Sequence, residues 1–334
     1  MAIPSSLNFH TTSSEAAAHY KDGISGKTIL ITGVSPNGLG AEAATAIAQH
    51  QPKLLILAGR SIDKIKQTQD EIKKVASGVE TKILILDLAS FEKARQAGEE
   101  VLGYDIPIDV LINNAGIMAL SERTLSDDGY ELQFASNHLG PFIFTNTILP
   151  ALRRSSSPRI VSVSSWGHHL SDVFYDDPKA EQSYDKWKSY GATKTANVLF
   201  AVSLAKRGIT AVSLHPGAIR TELLRHLTRE DEVAMGKSLP LAPRRGSRFS
   251  NLTRSERYAG FINEDGSPGQ KFEFKSLAEG ASTHIVAAFE PSLKGGEYLD
   301  DCQVQPDHEA YAVDPEKAEK LWKLSNEWTG SSFE

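Results

Sequence analysis

Tyr190-Gly191-Ala192-Thr193-Lys194 puts a phenol and an ammonium four residues apart. On a helix, positions i and i+4 share a face, so the two groups lie near each other. A neighbouring cation stabilises phenolate and makes tyrosine usable as an acid or base near neutral pH. A free tyrosine titrates near ~10, so bringing it to ~7 takes roughly 4 kcal/mol of electrostatic help. Solvated helix faces carry Tyr and Lys at this spacing often enough that the pair alone decides nothing. Its meaning depends on what else the chain brings to it.

A second constellation is Thr32-Gly33-Val34-Ser35-Pro36-Asn37-Gly38-Leu39-Gly40. Glycines at a strand-to-helix turn let the backbone approach a pyrophosphate, whose charge the helix N-terminus stabilises. A glycine triplet by itself reads as an ordinary turn. Here a strand before it, a helix after it and a second strand in range favour a dinucleotide site. About twenty residues further on, an acid would bond the ribose 2′-hydroxyl, whereas an arginine accommodates a 2′-phosphate. The chain offers Ala58-Gly59-Arg60-Ser61 with no acid until Asp63, which favours NADP(H) over NAD(H). The plainer reading is that Arg60 begins the next helix. Asp87 is placed to accept from an adenine amino group or to cap the following helix. Asn113-Asn114-Ala115-Gly116 supplies small residues for close approach and asparagines that can tie loops together.

These residues need a scaffold, and the apolar pattern provides one. Strands are expected at Thr28–Thr32, Leu54–Ala58, Lys82–Leu86, Val110–Ile112, Arg159–Val163 and Thr210–Leu214. Helical patterns alternate with them: Leu39–Gln49, Ile62–Val75, Phe91–Val101, about Asp127 to Arg153, and the segment carrying Tyr190 on to about Lys206. A helix at Ser276–Phe289 and the run Gly296–Leu299 close the domain. Alternating strands and helices predict an α/β fold with a doubly wound parallel sheet, Rossmann-type. The expected division is an N-terminal extension at 1–24, a nucleotide-binding domain at 25–310 and a C-terminal helical tail at 311–334. Within the domain, 224–275 reads as a lid-like insertion and Ser165–Lys186 as a polar one.

The balance of 36 basic and 42 acidic residues gives a net charge of −6. That argues against nucleic acid or an anionic membrane as partner. The hydrophobic share of 40% supports a sizeable core, and a single cysteine, Cys302, excludes an internal disulfide. No apolar run reaches membrane-spanning length, and no secretory signal is evident, so a cytoplasmic location is expected.

The Gly-rich turn, Asp87, Asn113-Asn114-Ala115-Gly116, Ser165, Tyr190-x-x-x-Lys194 and Pro216-Gly217 stand in the order and rough spacing of the short-chain dehydrogenase/reductase family. The chain resembles that family over about Lys27 to Leu223, more weakly near Glu279 to Cys302. It is most similar to the branch of retinol dehydrogenases, WW-domain oxidoreductases and fungal secondary-metabolism reductases. One departure is plain: the usual Thr-Gly-x-x-x-Gly-x-Gly is a residue longer here, with four residues between Gly33 and Gly38. The resemblance implies that Tyr190 is the general acid in carbonyl reduction and the base in alcohol oxidation. It implies that Lys194 lowers the Tyr190 pKa and bonds the nicotinamide ribose, and that Ser165 hydrogen-bonds the substrate oxygen. Asn137 would hold a water relaying protons from Lys194 to solvent. The cofactor-binding set would be Gly33, Ser35, Asn37, Gly38, Leu39, Gly40, Arg60, Asp87, Leu88, Asn114, Ala115, Gly116, Pro216, Gly217, Ile219 and Thr221, with Tyr190 and Lys194 at the reactive end.

Other residues invite weaker readings. Ser164 competes with Ser165, because strand alternation points the two to opposite faces. His168 and His169 point apart and lack a third ligand, so no metal is expected, and they are candidates to line the substrate pocket. Asp176 and Asp177 read as solvated loop acids, and Arg244, Arg245 and Arg248 as a solvated lid. Val198 to Val202 is apolar all round its helix, which points either to a homodimer or to core packing. The leading function is an NADP(H)-dependent oxidoreductase acting on a small, apolar carbonyl or alcohol. An epimerase or dehydratase with retained nucleotide, and a non-catalytic NADP-binding regulator, are the alternatives.

Overall fold

The strands carry apolar residues at nearly every position because both faces of the sheet are covered. In the computed structural model, which describes residues 2–182, 184–228, 231, 274–306 and 308–334, eight strands form one sheet. They are β1 (Thr28–Thr32), β2 (Leu54–Gly59), β3 (Thr81–Ile85), β4 (Val110–Asn113), β5 (Arg159–Val163), β6 (Thr210–His215), β7 (Tyr298–Asp300) and β8 (Gln303–Val304). Their order is β3-β2-β1-β4-β5-β6-β7-β8, all parallel except β8, which returns antiparallel to β7. The expected strands are thus found, some with ends displaced by a residue or two.

Alternation along β1 divides the interior into two layers. Leu30 faces a core built with Ile56, Phe142, Leu199 and Leu204, while Ile29 and Ile31 face one built with Ala44, Ile47, Ile285 and Val286. The first layer is covered by α5 (Phe91–Gly103), α7 (Gly140–Thr147) and α9 (Lys186–Lys206). The second is covered by α1 (Ser13–His19), α3 (Leu39–Ala48), α4 (Ile62–Val75) and α10 (Leu277–Phe289). Short helices α2 (Lys21–Ile24), α6 (Leu132–Phe134) and α8 (Leu149–Arg153) complete these faces, and α11 (Ala310–Val313) and α12 (Pro315–Trp328) follow β8.

Both termini are tied into the domain. A capping box between Thr12 and Glu15 starts α1, and Ala16, Ala17 and Ile24 are fully buried. The Tyr20 hydroxyl donates to Glu290 at 2.8 Å, joining this segment to the end of α10. At the other terminus, α12 lies on α9: Ser203 donates to the Ala318 carbonyl at 2.8 Å, and Phe200 stacks on Trp322. Val198 meets Tyr298 and Ala312. The all-round apolar character of α9 is therefore explained by burial under this chain's own C-terminal segment. The reason for expecting a homodimer through that helix falls away.

Most of the insertion expected at 224–275, with Arg244, Arg245 and Arg248, lies outside the described residues. Among the described residues no helix is long and apolar enough to cross a membrane.

Candidate active site

The parallel strands deliver their C-terminal ends to one edge, and β1 lies between β2 and β4, where the winding direction reverses. Ligands bind open α/β sheets at that crevice. A cavity of about 820 Å³ opens there, walled by Gly33, Gly59, Leu86, Asn114, Val163 and His215 from the successive strand ends.

Its floor is the Gly-rich turn. Gly33 has φ +74°, and a Cβ there would come within 2.7 Å of the Ala115 Cα. A Cβ on Gly40 would meet the Asn114 amide nitrogen at 2.6 Å. The extra residue is absorbed by a tight turn in which Gly38 N–H donates to the Ser35 carbonyl at 3.1 Å. Pro36 and Asn37 form its corners, Asn37 at φ +59°. Proline pre-sets the first corner and asparagine tolerates the second. Gly38 then caps α3 with no side chain on the helix N-terminus, leaving its first N–H groups toward the cavity. These features fit a pyrophosphate.

Next to the turn, Arg60, Ser61 and Lys64 stand together on the cavity wall. The plainer reading of Arg60 does not hold, because Ser61 caps α4 by accepting from Lys64 N–H and the helix begins at Ile62. Lys64 escaped the sequence reading: a lysine in the first turn of a charged helix looks like a solvated face. Two cations and a hydroxyl suit a 2′-phosphate. Asp87 likewise does not cap α5; Ser90 does, while an Asp87 oxygen accepts from Ala89 N–H at 3.2 Å. Asp87 and Leu88 both line the cavity.

The reactive end is built from α9, β5 and a helical bulge. Asp185 caps α9 by accepting from Trp187 and Lys188 N–H, and the helix carries Tyr190 and Lys194 inward. Both are buried, 4% exposed each, yet both reach the cavity wall. The two serines separate as alternation requires: Ser164 donates to the Lys194 carbonyl at 2.7 Å, within the core. Ser165 turns to the cavity, accepts from Gly167 N–H at 3.1 Å and hydrogen-bonds the Tyr190 phenol. Gly167 must lack a side chain, since a Cβ would press on the Tyr190 ring at 2.9 Å.

Electrostatics at this end differ from the expectation that Lys194 lowers the Tyr190 pKa. Burial pushes the phenol up to about 12, opposed only by the Ser165 hydrogen bond. Burial also pulls the Lys194 ammonium down to about 8. The ammonium sits 5.5 Å from the ring centroid and donates to the Val163 carbonyl at 3.0 Å. Helical spacing brought the pair together, and burial of each group sets the direction of both shifts.

Asn137 lies in a π-helical turn, Ala135–Leu139, behind the cavity wall. Its Oδ1 accepts from Ile117 N–H and its Nδ2 donates to the Ile117 carbonyl, both at 2.8 Å, with a further bond to Thr193 at 3.1 Å. Gly116 separates it from Lys194: a Cβ there would lie 3.2 Å from Asn137 Oδ1 and 3.6 Å from Lys194 Nζ. Asn137 thus braces the strand-end loop beside the lysine. Pro216, Gly217, Ile219 and Thr221 line the opposite wall. Gly217, at φ +93°, rests on the buried stem of Lys275, whose Nζ pairs with Asp301 at 2.8 Å. Beyond Tyr190 the cavity is lined by Met118, Leu170, Trp187, Leu223, Leu224 and Phe274, an apolar mouth.

Of the expected residues, Asn37, Gly40 and Asn137 do not themselves form cavity wall; they support residues that do. His168 and His169 do not line it either. They belong to a 3₁₀ turn, Trp166–His169, and face the C-terminal segment, where His169 pairs with Glu309 at 2.9 Å. Asp177 accepts from Glu181 and Gln182 N–H, closing its own loop, and Asp176 is exposed. Cys302 is fully buried, with Ser282 Oγ 3.0 Å from its sulfur.

The family model "short chain dehydrogenase" matches residues 27–232. The chain belongs to the short-chain dehydrogenase/reductase family. It is 36% identical over 324 residues to short-chain dehydrogenase/reductase prx1 of Penicillium rubens, covering 91% of this chain and 85% of that one. It is 34% identical over 323 residues to human retinol dehydrogenase 14, covering 91% and 87%. A chain from Escherichia coli CFT073, assigned as a short chain dehydrogenase and complexed with NADPH, superposes with a TM-score of 0.51 at 25% identity, over 63% of this chain and 85% of that one. This short-chain dehydrogenase/reductase is an oxidoreductase acting on CH–OH and C=O groups with a nicotinamide cofactor.

Proposed function

We propose that the enzyme is NADP(H)-dependent and interconverts a carbonyl and an alcohol on a small apolar metabolite, with Tyr190 as the acid/base. The observation that carries this is the shared cavity: Arg60, Ser61 and Lys64 stand at one end, Ser165, Tyr190 and Lys194 at the other. The two cations beside Ser61 favour a 2′-phosphate over a bare hydroxyl. The E. coli relative's NADPH supports the same choice.

The dinucleotide, when bound, supplies or accepts the hydride. Everything else falls to this chain. Ser165 and Tyr190 stand hydrogen-bonded side by side on the cavity wall and together would offer two O–H donors to the oxygen on which negative charge develops. Tyr190 then gives its proton to that oxygen. A phenol held up to about 12 stays protonated at neutral pH, which suits the reductive direction. Lys194 presents an ammonium beside it at neutral pH, and its value of about 8 puts the loss of that charge within reach of mild alkali. Asn137 keeps the Ile117 loop in place next to that ammonium. A water held near Asn137 would carry protons onward. Met118, Leu170, Trp187 and Leu223 favour an apolar substrate body.

The test is direct. Protein is mixed with NADPH and a panel of aliphatic, aromatic and polycyclic ketones and aldehydes, and NADPH absorbance is followed. Sustained loss with at least one apolar carbonyl, faster than with NADH, is expected. Tight NADPH binding without turnover across the panel would favour a regulator instead.

A further inference from the structure

Asn114 sits beneath the Gly-rich turn, and its amide has only one workable orientation. Two carbonyl oxygens face one end of it: Thr32 O at 2.9 Å and Gly33 O at 3.1 Å. Oxygens can only accept, so that end must be the NH₂ group. Oδ1 is thereby turned to the other side, where it meets His284 Nε2 at 3.2 Å. A carbonyl oxygen again only accepts, so Nε2 must carry the proton. His284 is fully buried on α10, and burial holds its ring pKa down to about 4, so the ring is neutral with a single N–H. The chain of donors is then fixed from end to end: His284 Nε2–H to Asn114 Oδ1, Asn114 Nδ2 to the carbonyls of Thr32 and Gly33.

This chain is mechanically consequential because the Asn114 amide stands close against both Gly33 and Gly40. A Cβ on Gly33 would come within 3.0 Å of Asn114 Nδ2, and one on Gly40 within 2.6 Å. The amide therefore packs against both glycines, which also meet directly through the Gly33 carbonyl, 2.7 Å from a Cβ on Gly40. On its own backbone side, Thr32 Oγ1 accepts from both Asn114 N–H and Ala115 N–H at 3.0 Å, locking the same two strand ends together. The neighbouring ring nitrogen of His284 has the Gly280 carbonyl near it on the preceding helical turn. That carbonyl makes no hydrogen bond to Nδ1, so the helix is only a weak rival to the amide for the one ring proton. Two carbonyls and a buried oxygen on the amide side outweigh one carbonyl that already has a helical partner.

We propose that His284 is a positioning residue for dinucleotide binding: as its Nε2–H tautomer it orients the Asn114 amide, which holds the Gly33–Gly40 turn in its binding geometry. The inference rests on the reading of this cavity as an NADP(H) site, and it places a determinant of that site on a helix outside the turn. His284 touches neither cofactor nor substrate.

Glutamine and asparagine separate the two ring nitrogens. A glutamine amide nitrogen overlies Nε2 and an asparagine amide nitrogen overlies Nδ1. Both variants keep a polar side chain of similar size in the same pocket. His284→Asn is expected to weaken NADPH binding about ten-fold, the order of one lost buried hydrogen bond. His284→Gln is expected to stay within about two-fold of the unaltered protein. Turnover at saturating NADPH should change little in either variant, because Ser165, Tyr190 and Lys194 are not moved. NADPH affinity is read by quenching of protein fluorescence, and a thermal melt shows that each variant is folded. Equal affinities for the asparagine and glutamine variants would overturn the proposal. A second measurement does not involve the dinucleotide: ¹⁵N NMR of the histidine rings, with His284 assigned by its loss in His284→Gln. An Nε2–H signature persisting from about pH 6 to pH 9 is expected, and an Nδ1–H signature would overturn the proposal even if NADPH binds tightly. Failure of the unaltered protein to bind NADPH, with the Nε2–H signature present, would instead count against the cofactor reading.

Discussion

Replacing Lys194 by methionine should make the protein more stable at neutral pH while abolishing its activity. The ammonium is buried, and its pKa falls from 10.5 to about 8. At about 1.4 kcal/mol per pKa unit, keeping it charged at pH 7 costs about 3 kcal/mol. Methionine has similar length, so the site stays filled. The variant loses the bond to the Val163 carbonyl, which contributes about 1 kcal/mol. That carbonyl keeps its second donor, Asn197 Nδ2 at 3.1 Å. The net expectation is a gain of about 2 kcal/mol at pH 7. The pH dependence has a definite sign. Between about 8 and 10.5 the unfolded chain still binds the lysine proton and the folded chain does not, so native stability rises with pH in that window. Below it the burial penalty is complete. The advantage of Lys194→Met should therefore be full at pH 7 and decline steadily above about 8. Equilibrium urea unfolding of both proteins without dinucleotide, at pH 7 and about 9.5, measures it. A variant less stable at pH 7, or a difference that does not shrink with pH, would refute the reasoning.

Three further outcomes are expected. Arg60→Asp should lower the preference for NADPH over NADH by at least ten-fold in kcat/KM, because a cation beside the 2′-phosphate is replaced by an anion; an unchanged ratio would assign the 2′-phosphate elsewhere. Gly40→Ala should abolish NADPH binding measured by fluorescence, since the new Cβ would fall 2.6 Å from the Asn114 amide and 2.7 Å from the Gly33 carbonyl; normal affinity would show that the turn is not packed as described. Trp322→Ala, which empties the site where α12 covers α9, should cost about 3 to 5 kcal/mol in urea unfolding. A loss below about 1 kcal/mol would mean that the C-terminal helix is dispensable to the core.

Much of the sheet was legible because its strands are nearly continuous apolar runs and its helices begin at recognisable caps. Thr28–Thr32, Ile62–Val75 and Arg159–Val163 fall where their residue types placed them. The gathering of the proposed catalytic and nucleotide motifs around one cavity was legible for a related reason: each occupies a strand end or one helix face, so local spacing already encodes proximity. What escaped depends on contacts between distant parts of the chain. Nothing near His284 in sequence says that it meets Asn114. The apolar circumference of α9 could not say whether a second copy or the chain's own α12 covers it. The N-terminal extension was delimited in the sequence without a role, yet its small residues, Ala16 and Ala17, are buried where α1 packs on α3 and α10. The Tyr190–Lys194 spacing announced an attraction but gave no measure of burial, and burial sets both pKa values.

The central claim is that Tyr190 delivers the proton in carbonyl reduction. Tyr190→Phe removes only the hydroxyl from a buried ring, so NADPH binding should persist. With NADPH and an accepted carbonyl, kcat should fall by about 10² to 10⁴. Full turnover by the phenylalanine variant, with NADPH still bound, would contradict the assignment.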